Sequence, residues 1–242
     1  HIWSHDQLVS PAENAALTAP FDAAEVEAFV KSMNPASAPG PDGLPVHFFQ
    51  AFWPMVKEII LDLFRDFARG TLDMSRLNYG TISLIPKVPG AADIRQFLPI
   101  TVLNVIFWIL AKGYATRAAL IAPRIHHPNQ SAFMKGRYIL DGVLVLHEII
   151  HEVKTKHIRA VFFKIDFHKA YDTVHWSFLR EVLLKRGFDP HWVARVMQLV
   201  TSGRTAVNIN GDIGPYFTTG QGVRQGDLIS PFLFNLVVDV LA

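Results

Sequence analysis

The residues best equipped for chemistry lie in Phe163-Lys-Ile-Asp-Phe-His-Lys-Ala-Tyr-Asp172, where a run of β-branched and aromatic side chains ends at a carboxylate, Asp166. A carboxylate at the end of a buried strand is costly unless it is hydrogen-bonded or holds a cation. Phosphoryl transfer by two divalent ions uses such a group, because hard Mg²⁺ takes oxygen ligands and the ion pair clamps the attacking and leaving oxygens. Asp166 would then ligate both ions, and the main-chain carbonyl of Phe167 one of them. The plainer alternative is that Asp166 caps the turn that follows it. A second candidate is His147-Glu-Ile-Ile-His151, an HExxH match with two histidines one helical turn apart and Glu148 as a potential base for zinc-peptidase chemistry. His157 falls where a third ligand stands in the longer form of that pattern, but Lys154 occupies the position where that form needs a helix-breaking glycine. A solvated helix face accounts better for both histidines.

Charge supplies a third feature. The net charge of +2 conceals a division along the chain. His1 to Asp73 holds four bases against ten acids, whereas Arg76 to Arg137 holds eight bases against Asp93 alone. A concentrated basic stretch suits a phosphate backbone; a solvated basic face is the alternative. Cysteine is absent, which excludes disulfides and thiolate metal sites and fits a reducing, intracellular compartment, nuclear or cytoplasmic. The most apolar run, Ile100 to Ala111, is shorter than the roughly 20 residues of a membrane span and reads as a buried core helix.

These groups need elements to hold them. A first helix starts after Asp22, with Glu25 completing a capping box. The stretch Asn34 to Gly43 is dense in turn formers. An amphipathic helix over about Val46 to Arg69 is interrupted at Pro54 and stopped by Gly70. Thr81 to Ile85 alternates as a short strand. Leu103 to Ile121 is helical in pattern and Pro123 ends it; Asp141 to Lys156 is helical again, with Val143, Leu144, Leu146 and Ile149 on its apolar face. Ala160 to Phe167 reads as a strand. Two helices follow, one capped near Ser177 and closed by Gly187, the other opened by Asp189 and Pro190. Arg204 to Thr218 reads as a hairpin about Asn210-Gly211. A Gly-punctuated loop over Gly220 to Ser230 leads to a last apolar helix opened by Pro231. The layout is α+β.

Six blocks, in one order along the chain, resemble LINE-type (non-LTR retrotransposon) reverse transcriptases, plant elements most of all. Phe163 to Asp172 resembles motif A, and Gly220-Gln-Gly-Val-Arg-Gln-Gly-Asp-Leu-Ile-Ser-Pro-Phe-Leu-Phe-Asn235 resembles motif B. Ala38-Pro-Gly-Pro-Asp-Gly43 resembles the upstream signature, Ile82-Ser-Leu-Ile-Pro-Lys87 the first fingers motif and Gln96-Phe-Leu-Pro-Ile100 the second. Pro128 to Arg137 resembles the block before the palm.

The resemblance implies a right-hand polymerase fold: a helical N-terminal extension over 1–75, a fingers-like region over 76–158, and a partial palm over 159–242. It implies RNA-directed DNA synthesis with two Mg²⁺ ions on an RNA template, a DNA primer and dNTPs. Asp166 matches the first catalytic carboxylate. Tyr171 matches the aromatic gate whose ring fills the space of a ribose 2′-OH, a role that physical reasoning supports where no partner awaits the hydroxyl. Gln225 and Gly226 match the motif B residues that touch the incoming nucleotide, with Arg224 a backbone-contacting neighbour, and Lys87 matches the fingers lysine that meets the triphosphate.

Three departures qualify these expectations. Leu98 stands where the second fingers motif usually has arginine, which leaves Lys87 with less help. Leu228 stands where motif B usually has proline. The family's aromatic-x-Asp-Asp motif C follows motif B by a few dozen residues, past Ala242. Asp166 is then expected to be a lone ligand of an incomplete two-metal site, and the chain an inactive fragment. A non-catalytic RNA- or DNA-binding remnant is the alternative function, with the zinc peptidase a remote one and no membrane partner in any of them. Nothing in the sequence explains Asp172.

Overall fold

Each of the first two helices is opened by a cap that its sequence supplies. In the computed structural model, which describes residues 7–241, α1 (Pro11–Thr18) starts on Ser10, and the Ser10 and Glu13 side chains cap one another's backbone N–H groups. Of the sequence readings, only those at the first six residues and Ala242 lie outside the described residues. α2 (Ala23–Ser32) starts on Asp22, whose carboxylate accepts from Glu25 N at 2.8 Å. The other half of the expected capping box is replaced, because the Glu25 carboxylate turns to Arg117. α3 (Val46–Ala51) and α4 (Trp53–Arg69) are divided at Phe52, with Pro54 in the first turn of α4, and Gly70 at φ +80° closes α4.

β1 (Tyr79–Pro86) and β2 (Phe97–Leu103) form an antiparallel hairpin, in register from Gly80 opposite Leu103 to Pro86 opposite Phe97. β2 is absent from the sequence reading, which takes Ile100 to Ala111 as the core of one helix. Asn104 divides that run: it ends β2 and is the N-cap of α5 (Val105–Ile125). Pro123 sits within the last turn of α5 and does not end it. By length and a mean hydropathy of 1.4, α5 would pass for a membrane span, but 61% of that stretch is buried inside the protein. It is the central core helix, touching α1 and α2.

α6 (Ile139–Thr155) forms where its periodicity places it, yet none of its residues is fully buried. The segment after it departs further from expectation. Ala160 to Phe167 is not a strand, and Phe163 is 88% exposed. β-Propensity is a preference for packing on a pleated, half-buried surface. Among the described residues no strand pairs with this segment, so its backbone joins no ladder.

α7 (Trp176–Lys185) and α8 (Pro190–Thr201) follow, α8 capped by Asp189 as its sequence indicates. β3 (Arg204–Ile209) turns through Asn210 and Gly211, both at positive φ, into β4 (Asp212–Ile213), the geometry that Asn-Gly favours. β5 (Phe217–Thr218) returns to pair with β3, and α9 (Ser230–Val238) closes the described fold. The sheet order is β2-β1-β3-β4, with β1 and β3 parallel. This mixed arrangement is the α+β class read from the sequence. One apolar core joins side chains from α1 and α2 through to α9. A fully buried ion pair, Arg186 with Asp239, fixes the end of α9 to α7, and Asp239 also accepts from His127 N at 2.8 Å. Removing one member of such a pair costs about 3–5 kcal/mol, because the other is left buried and uncompensated.

Candidate functional site

Three segments distant in sequence meet at one cleft: β2, the turn that contains Tyr171 and Asp172, and the loop from Thr219 to Ile229. Hydrogen bonds join the loop to the turn, with Gly222 N donating to Val174 O and Val223 N to Tyr171 O, each at 2.8 Å. The Trp176 indole N–H adds a bond of 2.7 Å to Gly222 O. On its other side the loop meets β2, where Thr101 N donates to Gln225 O at 3.3 Å. Two glycines make these approaches possible. A methyl group on Gly222 would lie 2.9 Å from Asp172 O, and one on Gly226 would lie 2.7 Å from Thr101 O. Gly226 also has φ +104°, a conformation that side chains resist. The cleft between the segments measures about 410 Å³ and is lined by Ile82, Pro99, Thr101, Asp172, Gln225 and Arg224, among others.

Of the residues singled out from sequence, Arg224 and Gln225 line this cleft, while Tyr171 and Gly226 lie in the segments that border it. The Tyr171 ring stacks on Phe234 of α9, with centroids 4.6 Å apart and planes 21° apart, and burial pushes its hydroxyl pKa up. Arg224 faces inward rather than into solvent. Its guanidinium carbon lies 5.0 Å from the centre of the Phe107 ring, and Nη2 is 3.7 Å from Asp227 Oδ2. Burial pulls the guanidinium pKa down and pushes the Asp227 carboxyl pKa up, each opposed by the other's charge.

Lys87 is not part of this convergence. It directly follows β1 where the β1–β2 connection begins, and there its N–H donates to Gln96 O and its Nζ to Arg95 O. Thr101 lies opposite Ile82, so Lys87 stands about 17 Å further along the hairpin at about 3.4 Å per residue. Leu98 pairs with Ile85 across the strands, and both are partly exposed. Asp166 and Phe167 lie on the exposed irregular segment before the Tyr171 turn. The cost of burying a carboxylate at a strand end, which motivates the sequence argument for a metal there, does not arise in this conformation.

Asn104 and Gly40 are structural residues that the sequence reading missed. Asp42 N donates to Asn104 Oδ1 at 3.2 Å, and Asn104 Nδ2 donates to Leu77 O at 3.2 Å. Gly40 packs so closely that a methyl group on it would lie 2.5 Å from Asn104 N. The Ala38 to Gly43 signature thus clasps the junction where β2 becomes α5. Its density in turn formers marks a loop, but only the fold shows what the loop holds.

Much of the basic stretch has internal partners. Arg117 is buried against Glu25, reaches the carbonyls of Ala19 and Pro20, and lies over the Phe21 ring. Arg124 pairs with Glu13, Arg95 with Asp93, and Arg137 donates to the carbonyls of His127, Gln130 and Pro123. The exposed cations left there include Arg76, Lys87 and Lys135. His147, Glu148 and His151 lie on exposed α6, and no group of three or more metal-ligating side chains forms among the described residues. Nothing here supports the zinc-peptidase reading.

Comparison with known proteins points the same way as the six blocks. A family model described as "Reverse transcriptase (RNA-dependent DNA polymerase)" matches residues 85–242. The chain is 28% identical over 98% of its length to the "Transposon TX1 uncharacterized 149 kDa protein" of Xenopus laevis, covering 18% of that protein. It is 27% identical over 85% of its length to the "Retrovirus-related Pol polyprotein from type-1 retrotransposable element R2" of Nasonia vitripennis, covering 19% of it. The corresponding type-2 R2DM polyprotein of Drosophila melanogaster is 28% identical, again over 85% of this chain and 19% of its own length. The chain thus spans about a fifth of the length of these curated relatives.

Proposed function

The chain belongs to the reverse transcriptase (RNA-dependent DNA polymerase) family, in its LINE-type (non-LTR retrotransposon) branch, and from that premise we propose that the cleft lined by Gln225 and bordered by the Tyr171 turn and Gly226 receives the incoming dNTP. The observation that carries this reading is the wedging of the loop from Gly222 to Gly226 between the Tyr171 turn, which Gly222 and Val223 meet, and β2, which Gln225 and Gly226 meet. The absence of a side chain at Gly226 lets its backbone seat against β2 at Thr101 and sets Gln225 at the cleft. In this reading β1, β2 and their tip are the fingers of a right-hand polymerase, the Tyr171 turn and α9 belong to its palm, and residues 7–75 are a helical extension against both.

Each residue then has a physical task. The Tyr171 ring, braced by Phe234, occupies the space where a ribose 2′-OH would project and so selects dNTPs. Gln225 and Gly226 position the nucleotide, and Lys87 at the hairpin tip neutralises its phosphates after the tip closes inward. Leu98 brings no charge to that task. RNA template and DNA primer are the implied partners, with the exposed cations Arg76 and Lys135 available to their backbones.

The residues present fit Mg²⁺ in kind: Asp166 offers a carboxylate and Phe167 a main-chain oxygen, the hard donors that ion prefers. They supply a share of a two-metal cage, since no cluster of three ligating side chains forms among the described residues. When bound, the ions would stabilise charge on the transferring phosphoryl group. The chain's own part is to hold the nucleotide and exclude ribose.

Photo-crosslinking tests the placement. The 242-residue chain is mixed with primer–template and an azido-substituted dATP, irradiated and digested. Label in peptides carrying residues 97–103 and 219–229 is the expected result. Label confined to α6 or to the N-terminal helices would place the nucleotide elsewhere. A non-catalytic nucleic-acid-binding role has less support, because Arg95, Arg117, Arg124 and Arg137 are engaged within the protein.

A further inference from the structure

The four residues Arg224 to Asp227 form a β-turn that is closed twice. Its backbone closes where Asp227 N donates to Arg224 O at 3.3 Å. Its side chains close beneath, where Asp227 Oδ2 faces Arg224 Nη2 at 3.7 Å. The central residues are Gln225 and Gly226, and φ +104° at the third position is the conformation that makes glycine the preferred residue there in a type II turn. The turn therefore has an inner side, the ion pair, and an outer side, the two residues assigned to the nucleotide.

Both ends of the inner side are fixed to the core. The Arg224 side chain is 12% exposed and that of Asp227 2%. Arg224 Nη2 donates to Leu199 O at 3.4 Å, and the guanidinium packs so closely on Gly203 that a methyl group there would lie 2.6 Å from Nη1. Asp227 Oδ1 accepts from Ile229 N at 3.3 Å, at the start of α9. Nη1 has no hydrogen-bond partner among the described residues, so the Asp227 charge is the main compensation for burying this cation. A surface cation kept for phosphate would have no reason to be enclosed between Phe107, Gly203 and Leu199.

We propose that the buried Arg224–Asp227 pair is a positioning device, which sets the height and tilt of Gln225 and Gly226 at the cleft, and that Arg224, although it borders the cleft, serves as a brace and not as a phosphate contact. This rests on the reading of the cleft as the dNTP site. It reassigns Arg224 from a contact, as its place in the sequence block implies, to a brace. It also gives Asp227, two residues beyond Gln225, a role of its own.

The test is equilibrium titration of the 242-residue chain with fluorescent dATP, dADP and dAMP in Mg²⁺. Folding of each variant is checked by circular dichroism. Asp227→Asn is expected to weaken all three ligands by about tenfold, a similar factor for each, because the turn and not a phosphate contact is disturbed. Arg224→Lys keeps the charge but loses the planar fork, so it should weaken all three by a smaller common factor. Lys87→Ala is the contrast, with a loss that grows with the number of phosphates. A folded Asp227→Asn chain with unchanged affinity would overturn the proposal. So would an Arg224→Lys loss that grows with phosphate number, and this second variant decides the matter where Asp227→Asn does not fold. Gln225→Ala separates the two levels. If it weakens binding while the brace variants do not, the brace alone is wrong; if it too has no effect, the dNTP site is misplaced and the brace proposal falls with it.

Discussion

Replacing Gly226 by alanine perturbs the junction at its tightest point. The new methyl group would lie 2.7 Å from Thr101 O, well inside van der Waals contact, and the neighbour it meets is backbone rather than a flexible side chain. The residue would also have to hold φ +104°, and a left-handed conformation costs an L-residue about 1–2 kcal/mol. Relieving the overlap means moving the loop off β2, which loses the bond from Thr101 N to Gln225 O, worth about 1 kcal/mol. Together these give about 2–3 kcal/mol against the native arrangement of the turn. Gly220→Ala is the internal control, because no heavy atom lies within 4 Å of the position its methyl would take. Urea unfolding followed by tryptophan fluorescence should show a clear drop in midpoint for Gly226→Ala and little change for Gly220→Ala. Local yielding would appear instead as a smaller drop with a large loss of dNTP affinity. Equal stability and equal affinity for the two variants would refute the argument that the loop is wedged against β2.

Gly40→Ala should destabilise the chain by about 1–3 kcal/mol, since its methyl would lie 2.5 Å from Asn104 N and Oδ1, and chemical denaturation reads this directly. Burial raises the Glu13 carboxyl pKa, but hydrogen bonds from Arg124 and Ser10 outweigh it and hold the pKa below the ordinary 4.5. Because the folded value is the lower one, this stabilisation is present above the unfolded pKa and is lost as pH falls through the folded one. Glu13→Gln should therefore lower stability at neutral pH and flatten its decline below about pH 4.5, as thermal melts across pH 3–7 would show. Ile165→Glu should leave stability within about 0.5 kcal/mol, because Ile165 is 73% exposed; a loss of several kcal/mol would mean that the segment is a buried strand after all.

What the sequence conveyed was mostly local. The caps at Asp22 and Asp189, the stop at Gly70 and the Asn210-Gly211 hairpin all follow from side chains acting on their own backbone within a few residues. The division at Asn104 was hidden because apolar residues run through both β2 and the start of α5, and periodicity cannot separate a short buried strand from a buried helix. The strand expected at Ala160 to Phe167 failed for the opposite reason. Its composition suits a sheet, but a ladder needs a neighbour, and composition does not supply one. At the cleft, the resemblance to LINE-type reverse transcriptases singled out Gln225, which lines it, and Tyr171 and Gly226, which lie in the segments on either side. It did not indicate that Arg224 would turn inward, since its partners Phe107, Leu199 and Gly203 are remote in sequence. Charge counting likewise treated Arg117 and Arg124 as surface bases, although Glu25 and Glu13, about a hundred residues upstream, hold them within the protein.

The most direct test of the central claim is the ratio of affinities for dATP and ATP, measured by competition against a fluorescent dNTP on the intact chain and on Tyr171→Ala. The account predicts that the chain prefers dATP and that Tyr171→Ala loses most of the preference by gaining affinity for ATP, with dATP binding changed little. Equal affinities in the unaltered chain, or a preference that survives removal of the Tyr171 ring, would contradict a sugar-selecting nucleotide site at this cleft.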